Sequence, residues 1–137
     1  MADSLTKAHR SWNMSRIRAR DTKPELIVRS VLHRLGFRFR LSPRKLPGSP
    51  DVVLTRHRIA VFVHGCFWHR HRGCRFAYTP KSNIAFWLKK FAENVARDHR
   101  ANAQLRKMGW RIVTVWECQC RQPERLQVRL AKATLSP

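Results

Sequence analysis

Between residues 64 and 74 the chain reads His-Gly-Cys-Phe-Trp-His-Arg-His-Arg-Gly-Cys, a block with neither the period of a helix nor the alternation of a strand. Any fold for this chain must therefore carry an ordered but irregular loop. Polar, aromatic and metal-competent side chains crowd into it, as they do at sites rather than in cores. The spacing Cys66-x4-His71-x2-Cys74, with Cys118 or Cys120 far downstream, suits zinc, whose structural sites are tetrahedral with Cys and His ligands. Zinc binding contributes about 10 kcal/mol to folding, more than so short a loop gains by packing. Buried free thiols are the competing reading of the same cysteines. Met1-Ala2-Asp3-Ser4 lacks the plan of a signal peptide, so a cytoplasmic setting is expected, where metal or free thiols precede disulfides.

The segments around this block are regular. Thr22-Lys23-Pro24-Glu25 has capping-box spacing, and Leu26, Ile27, Val31, Leu32 and Leu35 recur at helical intervals up to Gly36. Phe37 to Leu41 alternates apolar and basic residues and predicts a half-buried strand with arginines on its open face. Asp51–Leu54 and Ile59–Val63 are β-branched runs joined by Thr55-Arg56-His57-Arg58, a predicted hairpin. A helical pattern runs from Ser82 to Met108, with a break expected inside it. Trp110–Trp116 predicts a strand buried on both faces, and Gln122–Ala133 a final helix carrying Leu126, Val128 and Leu130. The order gives an α/β domain, a mixed sheet flanked by helices, over residues 21–137. Residues 1–20 are polar and basic with sparse apolar positions, so they either pack lightly or reach towards a charged partner.

The charge narrows the partner. There are 29 Lys and Arg against 8 Asp and Glu, a formal net charge of +21, and most of the excess is arginine. Arginine's planar fork suits phosphate oxygens and base edges, so nucleic acid is implied. The longest apolar run, Ile59–Val63, is far short of a bilayer span, and no membrane association is expected.

With so few carboxylates, each calls for a reason. Asp51 opens a strand directly after Pro50. It reads either as a turn residue or as a hard-oxygen ligand for Mg2+, which binds through one or two carboxylates plus substrate phosphates. His64 ends the paired strand and could lie near it. His71 fits the zinc spacing, which leaves His64 and His69 for acid–base or phosphate contacts. Phe67-Trp68, flanked by polar residues, could wedge between base pairs, whereas Trp87 on its own reads as packing.

Taken together, Pro50-Asp51, the His-Gly-Cys-Phe-Trp-His block at 64–69, Phe86-Trp87-Leu88, Asn94-Val95-x-Arg97-Asp98, Gly109-Trp110-Arg111 and Val115-Trp116-Glu117-Cys118 resemble the very-short-patch repair (Vsr) mismatch endonucleases. The resemblance runs from Ser11-x-Asn13-Met14 to Cys118. It implies a restriction-endonuclease-like fold, one structural Zn2+, and Mg2+-dependent nicking of double-stranded DNA 5′ to the thymine of a T:G mismatch, the product of 5-methylcytosine deamination. Asp51 matches the family's metal-binding aspartate, with the main-chain carbonyl of residue 63 as a second ligand. His64 and His69 match active-site histidines, and Glu25 a glutamate supporting the metal's water shell. Cys66, His71, Cys74 and Cys118 match the zinc ligands, Phe67, Trp68 and Trp87 the intercalating aromatics, and residues 1–20 a helix that grips DNA. A monomer associated with the bacterial nucleoid is implied, with a MutL-type repair protein as helper.

The chain departs from that pattern in three ways. Val63 stands where Thr is expected but keeps its carbonyl. Arg70 and Arg72-Gly73 occupy a normally histidine-rich stretch with one residue added before Cys74, which leaves Cys120 as a possible substitute ligand. The acid-x-Lys of ordinary restriction enzymes is missing at Phe62-Val63-His64. The expected mechanism has two Mg2+ ions bridged by Asp51, with His69 as general base and His64 on the phosphate. Two alternatives are a related nuclease of different specificity and a non-catalytic basic zinc module that binds DNA.

Overall fold

Thr22 starts the first helix of the described residues as predicted: its hydroxyl accepts from the Glu25 amide at 3.4 Å, with Pro24 in the first turn. This computed structural model describes residues 22–41 and 46–135, so the expectation for residues 1–20 lies outside the described part. Helix α1 spans Lys23–Arg34. It stops because Gly36 takes φ +88°, which lets Gly36 N–H reach the His33 carbonyl and Phe37 N–H the Leu32 carbonyl at 3.0 and 3.1 Å.

Four strands follow the order β1 (Arg40–Leu41), β2 (Val52–Leu54), β3 (Ile59–His64) and β4 (Arg111–Trp116), and they neighbour one another in that order. β1 and β2 run antiparallel, as do β2 and β3, whereas β3 and β4 are parallel with Ile59 opposite Arg111 and His64 opposite Trp116. The predicted hairpin is the β2–β3 pair, closed by a 3-10 turn at Thr55–His57 and a left-handed Arg58. Helix α2 (Ile84–Lys107) makes the crossover to β4, and α3 (Pro123–Leu135) ends the described chain.

The strand period sorts the core into two layers. Val52, Leu54, Ile59, Val61, Val113 and Val115 face α1 and α3, meeting Val28, Val31, Leu32, Leu126 and Leu130. Val53, Ala60 and Phe62 face the other way and meet Leu105 of α2 and Trp110. The mixed sheet therefore lies between helices on both faces, the predicted α/β class.

Three expectations need correction. The strand predicted over residues 37–41 pairs only at Arg40–Leu41, because Phe37 and Phe39 turn into the core instead of extending the ladder, although Arg38 and Arg40 are exposed as predicted. Helix α2 has no break, since residues 84–107 contain neither Pro nor Gly to interrupt the hydrogen-bond ladder. The strands buried on both faces are β2 and β3, not β4: β2 and β3 lie inside the sheet, whereas β4 is an edge strand among the described residues, with Ile112, Thr114 and Trp116 only half-buried.

Candidate active site and metal centre

Asp51 stands where β2 begins, and its backbone and side chain both bond to β3. Its N–H donates to the Val61 carbonyl at 3.0 Å, and its Oδ2 accepts from the Val63 amide at 2.7 Å. The carboxylate thus takes the place that a ladder carbonyl would hold, and β2 can start on a charged residue without losing a bond. Glu25, 5% exposed at the start of α1, lines the same cavity of about 220 Å3 and also receives Arg29 at 3.3 Å. Burial raises the Asp51 carboxyl to about 6; the Val63 amide pulls it back, and the Glu25 charge adds to the rise. A half-buried carboxylate beside a buried one is a site that wants a cation. The donor set, hard oxygens facing a small cavity, fits Mg2+.

Gly48 allows this cavity to be as tight as it is. A Cβ there would come 2.5 Å from the Ala101 Cβ, and the residue has φ +75°. Only glycine lets the loop before Asp51 pass so close to α2.

On the facing wall, His64 ends β3 and its ring stacks on His69, with centroids 3.9 Å apart and planes 5° from parallel. His64 is 7% exposed. Burial, and next the neighbouring His69, lower its pKa to about 4 against an opposing pull from Asp98, so the ring is neutral at physiological pH. His69 Nδ1 lies 2.7 Å from Asp98 Oδ2. A carboxylate accepts, so the proton of that bond belongs to Nδ1, and in the neutral tautomer this leaves the lone pair on Nε2.

The loop after β3 is turned by His69 N–H to the Gly65 carbonyl and His71 N–H to the Cys66 carbonyl, both 3.0 Å. These turns point His69 towards Asp98 and His71 towards the cysteines. Cys66, His71, Cys74 and Cys118 each offer a ligand atom within 4.8 Å of the others. Zinc–sulfur bonds of about 2.3 Å place tetrahedral ligands roughly 3.8 Å apart, so this set of three sulfurs and one nitrogen fits zinc with small adjustments. Cys118 Sγ is 3.4 Å and Cys66 Sγ 3.6 Å from His71 Nδ1, and the His71 ring stacks on Trp116 at 4.3 Å. Cys120 is elsewhere. The 3-10 turn at Glu117–Arg121 sends it into the core, where its thiol approaches the Pro24 and Trp116 carbonyls at 3.7 and 3.8 Å. The ligand geometry closes with Cys118.

Phe67, Trp68 and Trp87 form one aromatic cluster, with ring centroids 5.1 Å (Phe67–Trp68), 5.4 Å (Phe67–Trp87) and 5.7 Å (Trp68–Trp87) apart. Phe67 and Trp68 are half-buried. Trp87, 7% exposed, is the enclosed member, while its neighbour Phe86 is 60% exposed.

Several residues without a role assigned from sequence shape the site. Asp98 orients His69, and Asn94 Nδ2 donates to the Trp68 carbonyl at 3.1 Å. Both lie on the α2 face that carries Trp87, Phe91, Ala101 and Leu105, and a polar pair interrupting that apolar stripe was the available signal. Arg70, at φ +56°, bonds to the Phe67, Ala77 and Tyr78 carbonyls at 3.2, 2.8 and 3.0 Å and stacks over Phe91 at 3.8 Å. Single residue types at single positions gave no warning of that role. Another cavity, about 600 Å3, lies apart from Asp51, between Pro24, Ile27, Phe76 and Arg121.

Glu25, Asp51 and Asp98 converge on one cavity in a chain whose exterior is overwhelmingly cationic. A polyanion suits such an exterior, and enclosed carboxylates that can retain a cation suit its hydrolysis, so fold and site fit the class of DNA endonucleases. Residues 2–75 match the family model described as DNA mismatch endonuclease Vsr. The chain is 45% identical to a type II nicking enzyme, V.XorIIP, of Xanthomonas oryzae, over 95% of each chain. It is 44% identical to the DNA mismatch endonuclease Vsr of Escherichia coli, over 92% of this chain and 80% of that one, and 40% identical to the nicking enzyme V.NmeAIP of Neisseria meningitidis, over 95% and 92%. The chain belongs to the Vsr family of DNA mismatch endonucleases.

Proposed function

We propose that this endonuclease nicks one strand of duplex DNA 5′ to the thymine of a T:G mismatch, and that it requires Mg2+. The observation that carries the reading is the cavity shared by Asp51, Glu25, His64 and His69, next to an aromatic cluster in the same loop. Asp51 and the Val63 carbonyl would hold the metal, with Glu25 accepting from its water shell. When bound, the pair of ions supplies charge stabilisation for the attacking and leaving oxygens. The remaining work falls to side chains. His69, fixed through Nδ1 by Asp98, keeps Nε2 free to accept the proton of the attacking water, as an oriented imidazole does in other hydrolases. His64, neutral and stacked on His69, contacts the phosphate. Cys66, His71, Cys74 and Cys118 hold the loop through zinc, which keeps His69 and the aromatics in register.

Phe67 and Trp68, supported by Trp87, would enter the base stack beside the mismatch. Unstacking a step costs a few kcal/mol and is easiest at a weakly paired step, which favours mismatched sites. Residues 1–20 would grip the duplex from the other side. In this reading the enzyme works as a monomer on the bacterial nucleoid, with a MutL-type repair protein as helper.

The test is a panel of duplexes carrying each single mismatch, incubated with and without Mg2+ and resolved on denaturing gels. One cut strand at T:G, with Mg2+ only, is expected. Persistent nicking by Asp51→Ala would end the metal assignment, and equal cutting of paired and mismatched duplex would end the mismatch assignment. Trp68→Ala should weaken mismatch binding far more than binding to paired duplex; equal losses would reduce Trp68 to packing.

A further inference from the structure

We propose that His64, His69 and Asp98 form a second transition-metal site, separate from the Cys66/His71/Cys74/Cys118 centre, and that an ion held there silences the nuclease. One ligand atom from each of the three residues lies within 4.8 Å of the other two; the His64 and His69 rings are stacked with planes 5° apart, so they must turn out of parallel for their in-plane lone pairs to meet on one ion. Two imidazoles and a carboxylate with open positions remaining are the donor set of open zinc sites. That set favours Zn2+, Co2+ or Ni2+ over Mg2+, which demands oxygen ligands.

The scaffold is rigid enough to hold an ion. His64 is the last residue of β3 and Asp98 belongs to the middle of α2, so two ligands come from regular elements. Binding would exchange the His69–Asp98 bond of 2.7 Å and the His64–His69 stack of 3.9 Å for bonds to the ion. Access comes from a second side. The three residues line the Asp51 cavity and also an open cavity of about 400 Å3 that includes His71, His99 and Thr114. They are the wall between the two, and an ion can reach them without passing the scissile position. Arg70, Arg72 and Arg97 border these cavities and oppose a cation, so the site fills only after the four-ligand centre.

The two ligand sets alternate along one loop, His64 and His69 for one and Cys66, His71 and Cys74 for the other. An ion at the first would take the imidazole of His64 and break the His69–Asp98 pairing. The resulting loss of activity rests on the roles proposed above for His64 and His69; the binding does not.

Protein carrying one zinc per chain is titrated with Co2+ in magnesium-free buffer. Bound metal is measured by equilibrium dialysis, visible d–d absorption is recorded, and nicking is then assayed with Mg2+. The expected result is a second equivalent of metal and a roughly hundredfold fall in nicking, the scale set by losing a general base. His64→Ala and Asp98→Ala should retain the first zinc, which reports an intact loop, and lose the second equivalent. A wild-type protein that stays at one equivalent overturns the proposal. So does a second equivalent that persists in both variants, because the ion then lies elsewhere. A second equivalent lost in both variants but without effect on wild-type nicking upholds the site and overturns the catalytic roles of the histidines instead.

Discussion

Asp51→Asn should abolish nicking and yet make the magnesium-free protein more stable at pH 8. Asp51 ionises near 3.8 when unfolded, and burial raises it to about 6 in the folded protein. A carboxyl raised on folding stabilises the protonated folded state below 3.8, and that advantage is lost as pH climbs through about 6. Each unit of pKa difference is worth about 1.4 kcal/mol, so the ionised carboxylate costs the fold about 3 kcal/mol at pH 8. Asparagine keeps the shape and an oxygen for the Val63 amide, and the weaker bond to a neutral acceptor is already counted in the net shift. The gain is therefore about 3 kcal/mol.

His64 supplies an internal contrast. Its pKa is lowered from 6.5 to about 4, so its contribution is present above 6.5 and lost as pH falls towards 4. Between about 4 and 6 the two groups act in opposite directions in the wild type, and Asp51→Asn leaves the histidine unopposed. Urea unfolding of both proteins across this range, without Mg2+, isolates Asp51 in the difference curve, which should climb with pH and level off above about 6. Added Mg2+ should stabilise the wild type alone. A variant that is less stable at pH 8, or a difference independent of pH, would refute the reasoning.

Gly48→Ala should lower stability by about 3 kcal/mol, from left-handed backbone plus an overpacked contact, as read by thermal unfolding; an unchanged melting temperature would show that the loop moves freely away from Ala101. Cys118→Ala should purify with less than stoichiometric zinc, whereas Cys120→Ala should keep its zinc and lose only core packing, about 1 kcal/mol. Metal content by atomic absorption separates the two. Arg70→Ala removes bonds to three loop carbonyls, and amide exchange at residues 77–79 should rise by a factor of about 10, from roughly 1.4 kcal/mol of lost local stability. Slow exchange there would assign the loop's order to zinc alone.

What could be read in the sequence was what depends on local period or on ligand type. Thr22 and Gly36 bound α1 because capping is decided within one turn, and the β2–β3 hairpin was visible because its strands are joined by four residues. The failures share a different cause. Phe37 and Phe39 carry strand alternation but their burial is decided by the core they meet, and the doubly covered strands are β2 and β3 rather than β4 because strand order places them inside. At the candidate metal centre, spacing named Cys66, His71 and Cys74, but which of Cys118 and Cys120 lies within reach of them depends on a 3-10 turn that no spacing rule encodes. Asp98 was hidden by distance: its partner lies 29 positions away, across a helix and a loop.

The charge itself yields one more prediction. Of 8 acidic residues, Glu25, Asp51 and Asp98 line a single cavity inside a field of net +21. DNA phosphate is therefore attracted by the exterior and repelled at the cavity proposed above for the chemistry. A divalent cation in that cavity reverses the local sign, so Mg2+ and a phosphate placed there should each raise the affinity of the other by the same factor. The rest of the surface has no such coupling: added salt only releases the basic contacts, and binding falls steeply with its concentration. Duplex affinity measured against Mg2+ should accordingly separate the wild type from Asp51→Ala. In the variant Mg2+ acts only as salt and weakens binding; in the wild type part of that loss is recovered once the cavity fills. If the two titrations superimpose, the cation does not enter beside the phosphate, and the convergence of the three acids has some purpose other than catalysis.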